Sequence, residues 1–328
     1  MKFDNGENFW EIDDQAAFDS LALKTFKFQY ENNDVYRSFC DLIHCHPTSV
    51  KSVKDIPHLP ISLFKTKKVC CFEADQAQFF SSSTTSGMAP SLHYYRKLDD
   101  YQMSFRKGFD YFFGAIQDYV VLALLPSYLE REGSSLIYMA NDMIQNSQYS
   151  ESGFYLNQWD ALKERINQLE ENGQQTLLLG VSFALLDLVE RYSFNLRHTL
   201  VMETGGMKGR RKEMTRLELH SRLKKGFGVP QIYSEYGMTE LLSQAYSMGE
   251  GIFECPPWMR IWARESQDPF SSVPLGQSGG LNIIDLANRD SCSFIATDDL
   301  GKVHSHSRFE VQGRLDSSEI RGCNLMVV

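Results

Sequence analysis

The chain has 328 residues, of which 42% are hydrophobic and 23% are charged, an ordinary composition for a globular protein of one or two domains. Its formal net charge of −9 argues against a general nucleic-acid-binding protein, which needs a basic surface. No apolar run is long enough to span a bilayer, and the N-terminus lacks the features of a signal peptide, so we expect a cytoplasmic protein without an integral membrane segment.

The seven cysteines are an odd number scattered along the chain, so they do not form a disulfide framework. A local cluster of thiols and imidazoles between Cys40 and His46 has residue types that suit a metal, but its spacing is not that of a zinc site. Cys70 and Cys71 are adjacent rather than separated by two residues. We therefore expect reduced cysteines and no structural metal.

Residues 1–75 are predicted to form a helical segment and a connector, both packed on the core. Apolar residues recur at helical spacing over residues 8–45, and Pro47 ends this run. Residues 56–65 contain two prolines, which exclude a regular helix, so an extended connector is expected there.

The middle of the chain, residues 76–255, alternates helical patterns with short apolar runs, which is typical of a layered α/β fold with buried strands. Helices are predicted at 99–113, 159–171, 184–192 and 212–225, and strands at 120–126, 176–180, 199–203 and 231–233. Beyond Pro257, short strands separated by turns are predicted at 259–263, 280–285, 293–297 and 309–313. Residues 256–328 are therefore expected to form a small β-rich subdomain.

A run of hydroxyl-bearing and small residues lies between a predicted strand and a predicted helix. Its members are Ser82, Ser83, Thr84, Thr85, Ser86 and Gly87. Backbone N–H groups and hydroxyls in such a loop can hold phosphate. The run has neither the Gly-Lys-Ser/Thr of a P-loop nor the Gly-x-Gly-x-x-Gly of a dinucleotide site, and taken alone it is more typical of a flexible linker.

Other candidate residues also follow predicted strands, where α/β folds place ligand sites. Gly205 and Gly206 would let a flat ring lie against bare backbone, although a glycine turn before a solvated helix explains them equally well. Residues 236–240 (Tyr-Gly-Met-Thr-Glu) combine an aromatic face for a purine, a hydroxyl for phosphate and a carboxylate for Mg²⁺. A helix capping box is the alternative for this segment.

Two charged residues stand at the ends of predicted C-terminal strands. Asp299 can accept hydrogen bonds from ribose hydroxyls, and the guanidinium of Arg314 suits ribose or phosphate oxygens. An acidic turn and a surface salt bridge are the ordinary alternatives.

Taken together and in this order, these segments resemble the adenylate-forming superfamily of acyl-CoA synthetases, adenylation domains and luciferases. Residues 82–87 stand where that superfamily has its Ser/Thr/Gly-rich phosphate loop, and residues 236–240 match its Tyr-Gly-x-Thr-Glu motif. Residues 297–300 resemble its Thr-Gly-Asp-Leu, and residues 313–316 resemble its Gly-Arg-x-Asp hinge. Residues 56–65, 202–209 and 235–241 are more closely similar to the acyl-protein synthetases, the LuxE-type long-chain fatty-acid ligases of bacterial bioluminescence.

This resemblance implies an α/β fold, with a layered adenylate-forming N-terminal core and a small β-rich subdomain. It implies an enzyme that uses ATP and Mg²⁺ to convert a fatty acid to an acyl-adenylate, followed by transfer to an enzyme cysteine and then to a partner such as an acyl reductase. The implied nucleotide-binding residues are Ser82, Ser83, Thr84, Thr85, Ser86, Gly87, Gly205, Gly206, Tyr236, Gly237, Asp299 and Arg314. The implied catalytic residues are Thr239, at the α-phosphate, Glu240, as the Mg²⁺ ligand, and Cys323, as the acyl acceptor.

The chain departs from the superfamily pattern in three ways. Ser83 and Ser86 stand where glycine is frequent, and Ser91 stands where lysine is frequent. The sequence ends just after the hinge motif, so the C-terminal lid domain with its catalytic lysine is expected to be absent. An acyl- or aryl-CoA ligase, and a catalytically silent nucleotide- or acyl-binding subunit, therefore remain as alternatives.

Overall fold

The structure is a computed structural model that describes residues 9–12, 14–73, 77–82, 89–126, 133–205 and 214–315. The chain forms two compact units. The β unit comprises Met1–Ser104, Thr239–Ser243 and Glu254–Val328, and the α/β unit comprises Phe105–Met238 and Gln244–Phe253. The N-terminal segment and the C-terminal strands thus fall in the same unit. The division into residues 1–75, 76–255 and 256–328 stays a prediction.

Seven α-helices and fourteen strands lie within the described part of the chain. The helices are α1 (Gln15–Asn32), α2 (Asp34–Leu42), α3 (Leu98–Phe113), α4 (Ser135–Asn146), α5 (Trp159–Glu171), α6 (Ser182–Arg191) and α7 (Arg216–Phe227). The strands are β1 (Leu59–Pro60), β2 (Gln78–Ser81), β3 (Leu92–Tyr95), β4 (Val120–Leu124), β5 (Gly153–Phe154), β6 (Thr176–Gly180), β7 (Thr199–Glu203), β8 (Tyr233–Tyr236), β9 (Ala245–Ser247), β10 (Ile252–Glu254), β11 (Met259–Arg264), β12 (Ser278–Asp285), β13 (Phe294–Ser305) and β14 (Arg308–Arg314).

The α/β unit is built on a sheet with the strand order β5-β4-β6-β7-β8-β9. The strands from β5 to β8 are parallel, and β9 is antiparallel to β8. Every residue of β4 and β6 is buried, as expected of strands covered on both faces. Helix α5 buries Leu162, Ile166 and Leu169, which recur at helical spacing along one face. The predicted α/β architecture is confirmed.

The β unit contains the antiparallel strands β11, β12, β13 and β14, and β1 runs parallel to β13. Strands β2 and β3 form a separate two-stranded sheet. Strand β13 is longer than the predicted strand at 293–297, since it continues to Ser305 as one arm of a hairpin with β14. The predicted β-rich character of the C-terminal part is confirmed.

The N-terminal run at 8–45 is not one helix. It breaks at Asn33, which ends α1 and caps α2, because its side-chain oxygen accepts a hydrogen bond from the backbone N–H of Tyr36. The side-chain amide of Asn33 also donates to the carbonyl of Ser291 at 2.9 Å. These hydrogen bonds of a buried asparagine to two segments end the first helix at Asn33, although apolar residues continue at helical spacing beyond it.

The connector at 56–65 is not extended throughout. It contains the short strand β1 and then a 3₁₀ helix at Ile61–Lys65, with Pro60 at its N-cap. A proline tolerates that position because the first turn of a helix leaves backbone N–H groups without partners in any case. The two prolines exclude a long α-helix and still permit one short 3₁₀ turn.

No helix in the described ranges is long and apolar enough to cross a membrane. None of the six cysteines that the structure describes forms a disulfide bond. Cys40, Cys71 and Cys292, in the β unit, are buried.

Candidate active site

The two ends of the candidate phosphate loop are held side by side in the β unit. The backbone N–H of Ser82 donates to the carbonyl of Ser91 at 3.0 Å, and the N–H of Ser91 donates to the hydroxyl of Ser82 at 2.9 Å. Of the predicted loop residues, Ser82 is described by the structure, whereas Ser83, Thr84, Thr85, Ser86 and Gly87 lie outside the described residues. The base of the loop is therefore closed by a reciprocal pair of hydrogen bonds.

The carboxyl group of Glu240 lies beside this base and is buried, with 6% of the residue exposed. Burial raises the pKa of Glu240, while a hydrogen bond from Ser91 and the charges of Arg314 and Lys65 act in the opposite direction. The pKa is raised overall, so the hydrogen bond and the positive charges offset only part of the cost of burying the ionised carboxylate. A bound cation would stabilise the carboxylate in the same way.

The residues around Glu240 fit one particular mode of magnesium binding. Among the described residues, no group of three or more His, Cys, Asp or Glu side chains is arranged to hold a metal. Mg²⁺ commonly binds through one or two carboxylates together with phosphate oxygens and water. A single buried carboxylate next to a phosphate loop fits that mode of binding.

The backbone of Thr239 and Glu240 is held from behind by two fully buried side chains, His93 and Asn288. Nδ1 of His93 lies 2.7 Å from the carbonyl oxygen of Thr239, so Nδ1 must carry the proton and donate it. Nδ2 of Asn288 donates to the carbonyl oxygen of Glu240 at 2.7 Å. The other ring nitrogen, Nε2, lies 2.8 Å from Oδ1 of Asn288. Burial lowers the pKa of His93 to about 4, and the hydrogen bonds to Asn288 and Thr239 act in the opposite direction.

The next residues after Glu240 are held by Asp285. Its carboxylate accepts hydrogen bonds from the backbone N–H groups of Leu242 and Ser243, both at 2.9 Å, and from the hydroxyl of Ser243 at 2.5 Å. The indole N–H of Trp258 donates to the same hydroxyl at 3.0 Å. The carbonyls of Thr239 and Glu240 and the N–H groups of Leu242 and Ser243 are therefore all satisfied by side chains of the β unit.

The structure brings Asp299 and Arg314 together, as their predicted common role requires. They are directly paired across β13 and β14, and Nε of Arg314 lies 3.8 Å from Oδ1 of Asp299. Asp298 also faces this guanidinium, at 3.5 Å from Nη2. Because Arg314 also acts electrostatically on Glu240, these residues and the loop base lie in one region of the β unit.

In the α/β unit, Gly205 follows β7 with a φ of 61°, a left-handed conformation that favours glycine. No atom of the described residues lies within 4 Å of a Cβ added at this position. The carbonyl of Gly205 accepts from the N–H of Ser182 at 2.7 Å, and its own N–H donates to Glu203 at 2.9 Å. Gly206 lies outside the described residues.

The carboxylate that fixes Gly205 is part of a buried charged cluster. Glu203 also accepts from the hydroxyl of Ser182 at 2.9 Å, and it lies 3.5 Å from Nε2 of His220. Burial alone would raise the pKa of Glu203, but the hydrogen bond from His220 and the charge of Arg216 lower it to about 2. Glu203 is therefore ionised, and it anchors the turn that carries Gly205.

Glu235, on the neighbouring strand β8, has a raised pKa, in contrast to the lowered pKa of Glu203. The hydroxyl of Thr204 donates to its carboxyl group, yet burial raises the pKa of Glu235 to about 7, and the negative charge of Glu203 adds to this rise. A Cβ at Gly237 would lie 2.5 Å from Oε1 of Glu235, so a larger residue there would displace this carboxyl group. Tyr236 is only 8% exposed, and its ring centroid lies 5.7 Å from that of Phe253.

Replacing Glu235 with glutamine is expected to stabilise the protein in a pH-dependent manner. The folded pKa of about 7 exceeds the ordinary value of 4.5, so the contribution of Glu235 to stability is complete below pH 4.5 and is lost as the pH rises through 7. Glutamine does not titrate, and the variant should gain about 1–3 kcal/mol in free energy of unfolding at pH 8 and little at pH 4.

Urea unfolding at pH 4, 6 and 8 measures this difference. Glu164, which is exposed on α5 of the same unit, provides the control, since Glu164→Gln replaces a carboxyl group at the surface and should change the free energy of unfolding only slightly. A gain for Glu235→Gln that did not depend on pH would contradict a raised pKa.

Sequence reasoning missed His93, Asn288, Asp285, Glu203 and Glu235. His93 is a single histidine in an otherwise apolar strand, and a core position is the usual meaning of that pattern. Glu203 alone carried a signal, since a glutamate at the end of a buried strand, separated by one residue from a pair of glycines, is unusual in position.

Known long-chain fatty-acid ligases are similar to this chain in sequence. Residues 5–108 match the family model described as acyl-protein synthetase, LuxE. The long-chain-fatty-acid–luciferin-component ligase of Vibrio harveyi is 25% identical over 341 residues, covering 96% of this chain and 89% of that protein. The ligase of the same description from Aliivibrio fischeri is 21% identical with the same coverage. The chain is similar to the LuxE-type acyl-protein synthetases.

Solved structures of adenylate-forming enzymes share the fold. A 2-hydroxyisobutyryl-CoA ligase in complex with 2-HIB-AMP and CoA superposes with a TM-score of 0.66 at 13% identity, covering 96% of this chain and 73% of that one. ATP-bound MatB from Rhodopseudomonas palustris gives a TM-score of 0.54 at 15% identity, and the match covers 74% of this chain and 49% of that chain. The predicted adenylate-forming core and the predicted ligase type of enzyme are confirmed. The expected absence of a lid domain stays a prediction.

Proposed function

We propose that this protein activates a long-chain fatty acid by ATP-dependent adenylation and then passes the acyl group through Cys323 to a partner protein such as an acyl reductase. The observation that carries the proposal is the grouping around Glu240 in the β unit. The base of the phosphate loop bonds to this carboxylate through Ser91, and Arg314 acts on it electrostatically. The fatty acid and the acyl acceptor are proposed by analogy with the ligases to which the chain is similar.

The chemistry explains why such a grouping is needed. A carboxylate is a poor electrophile, because its leaving group would be oxide. Coupling to AMP provides a good leaving group, and pyrophosphate is released. The protein must hold the carboxylate in line with the α-phosphate and offset the negative charge that develops on the phosphate oxygens.

Each part of ATP has a proposed binding group. Ser82, Thr84 and Thr85 would donate hydrogen bonds to the β- and γ-phosphates, and the hydroxyl of Thr239 would donate to the α-phosphate. The ribose hydroxyls would bind Asp299, with Arg314 beside it; these two residues face each other across β13 and β14. When bound, Mg²⁺ would be held by Glu240 and would supply positive charge to the phosphate oxygens.

A separate set of residues is proposed to contact the adenine. The left-handed turn at Gly205 fits a flat ring lying against backbone. Gly206, Gly237 and Tyr236 are proposed to complete this surface. Since little of the Tyr236 ring is exposed, we expect the ring to contribute one edge rather than a full stacking face.

In the second half-reaction, the thiolate of Cys323 would attack the carbonyl carbon of the acyl-adenylate. The C–S bond forms as the bond to AMP breaks, which gives a thioester and free AMP. Attack requires the thiolate, so a positive group or a base must lie near Cys323. Arg321 and His304 or His306 are the candidates for that group. Arg321 and Cys323 lie outside the described residues, and His304 pairs with Glu310 at 2.6 Å.

The first half-reaction is tested by carboxylate-dependent exchange of pyrophosphate into ATP. We expect exchange with fatty acids in a panel that runs from acetate to long-chain acids, and no exchange without an acid. A protein that binds ATP but gives no exchange across the whole panel would instead be a catalytically silent subunit.

A further inference from the structure

Strand β13 leaves its regular pairing with β12 at the residues that end in Asp299. The register shifts between Gly280 and Asn282 of β12, because three residues of β13 (297–299) lie opposite Leu281 alone. Such a bulge changes the direction of side chains, and bulges are frequent beside active sites. The geometry of this bulge therefore determines where the carboxyl group of Asp299 is presented.

A side chain from a third strand bonds to the backbone at this bulge. The guanidinium of Arg264, on β11, donates from Nη2 to the carbonyl oxygen of Thr297 at 2.6 Å and from Nη1 to that of Leu281 at 2.9 Å. Nη1 also donates to Oδ1 of Asn282 at 2.9 Å. Because a guanidinium holds its N–H groups in a rigid planar fork, bonds to three acceptors fix the positions of these groups relative to one another. Arg264 thereby links β12 to the bulge of β13 where the regular ladder is interrupted.

The same hydrogen bonds continue to Asp299 through the buried side chain of Thr297. The hydroxyl of Thr297 donates to the carbonyl of Leu281 at 2.9 Å and accepts from the backbone N–H of Asp299 at 3.1 Å. Burial lowers the pKa of Arg264, and the charges of Asp298 and Asp299 raise it, so both carboxylates lie near the guanidinium. Arg264 thus holds the carbonyl of Thr297, and the hydroxyl of Thr297 holds the backbone of Asp299.

A glycine on β12 makes room for the guanidinium. Gly280 lies opposite Arg264 in the pairing of β11 with β12, and a Cβ added at Gly280 would lie 2.7 Å from Cζ of Arg264. A side chain at this position would therefore push the guanidinium away from Thr297. The bonds to the bulge depend on the arginine and the glycine together.

We propose that Arg264 is a positioning residue for the adenylation reaction, because it holds the bulge in the conformation in which the carboxylate of Asp299 accepts hydrogen bonds from the ribose hydroxyls of ATP. This inference rests on the proposed function, in which Asp299 binds the ribose. Arg264 acts through Asp299 rather than on the nucleotide itself.

The test compares binding of ATP and of 2′,3′-dideoxy-ATP by isothermal titration calorimetry, with Mg²⁺ and without a carboxylic acid, so that no adenylation takes place. The wild-type protein is expected to bind ATP at least about tenfold more tightly, because the dideoxy nucleotide lacks both hydroxyls that the carboxylate would bind. Arg264→Lys keeps the positive charge but loses the planar fork. It should reduce this preference to about threefold or less while its affinity for dideoxy-ATP stays within about twofold of wild type.

Two further variants make the comparison specific. Gly280→Ala leaves the arginine in the sequence but displaces its guanidinium, and it should lower the preference for ATP as Arg264→Lys does. It also decides the question if Arg264→Lys fails to fold. Arg308→Lys is the matched control, because Arg308 is an exposed arginine of the same unit that pairs with Glu254 at 3.2 Å, and this variant should keep the full preference.

The outcomes separate this inference from the function on which it rests. A wild-type protein that binds both nucleotides equally would overturn the ribose role of Asp299 and the inference with it, while pyrophosphate exchange still tests adenylation independently. Full preference for ATP in both Arg264→Lys and Gly280→Ala would overturn the inference alone. Equal losses of affinity for the two nucleotides, or a lost preference in Arg308→Lys, would also overturn it, because a general structural change would explain either result.

Discussion

Replacing Glu240 with glutamine is expected to lower the rate of carboxylate-dependent ATP–pyrophosphate exchange by about 100-fold or more. Glutamine has nearly the same shape and can still accept the hydrogen bond from Ser91, but it has no charge with which to hold Mg²⁺. Burial of a carboxyl group at this position raises its pKa, so removal of the charge should not destabilise the fold. Initial rates over a titration of Mg²⁺ measure the effect.

The control for this variant is Glu265→Gln, which changes an exposed glutamate in the same unit. Its exchange rate and its dependence on Mg²⁺ should match those of the wild-type protein. Thermal unfolding of both variants checks that the fold is retained. An exchange rate for Glu240→Gln within about threefold of wild type, with the same Mg²⁺ dependence, would show that Glu240 is not a metal ligand.

Replacing Cys323 with serine is expected to abolish the acyl-enzyme while leaving pyrophosphate exchange close to the wild-type rate. The first half-reaction does not use the thiol, and a hydroxyl is a far weaker nucleophile than a thiolate at neutral pH. After incubation with ATP, Mg²⁺ and a fatty acid, mass spectrometry of the tryptic peptide at 322–328 should show an acyl adduct in the wild-type protein. The adduct should be released by hydroxylamine, as a thioester is.

Cys45→Ser provides the comparison for a different thiol. Cys45 is only partly buried, and burial raises its pKa, so little of it is thiolate and its loss should leave the adduct in place. The acyl-protein mechanism would be ruled out if Cys323→Ser retained full acyl transfer to CoA and the wild-type enzyme showed no adduct. That result would favour an acyl-CoA ligase.

The parts of the fold that could be predicted from sequence are those set by local pattern. Strands β4 and β6 are continuous apolar runs, and such runs are buried in a parallel sheet wherever they occur. Asp299 and Arg314 could also be proposed as partners, since each ends a predicted strand of the same β-rich region. In both cases the informative residues are neighbours in sequence or stand at the ends of recognisable elements.

The support behind Thr239 and Glu240 could not be predicted, because it depends on contacts between distant segments. His93 is 146 residues from Thr239, and Asn288 is 195 residues from His93. Nothing in the local pattern around a histidine in strand β3 or an asparagine after β12 indicates that they meet. The break in the N-terminal helix at Asn33 has the same origin, since its amide bonds to Ser291.

The two glutamates near Gly205 show a second limit. In the sequence, Glu203 and Glu235 are equivalent acidic residues. In the structure, one has a pKa of about 2 and the other a pKa of about 7, because His220 and Arg216 surround the first and burial dominates at the second. Protonation depends on surroundings that appear only after folding.

The anchoring of residues 239–243 has a consequence for protein engineering. Grafting this pentapeptide alone into another scaffold would leave carbonyls and N–H groups that His93, Asp285 and Asn288 satisfy in this protein. The segment therefore cannot be transferred by itself, and a chimera that contains it must also contain those three side chains.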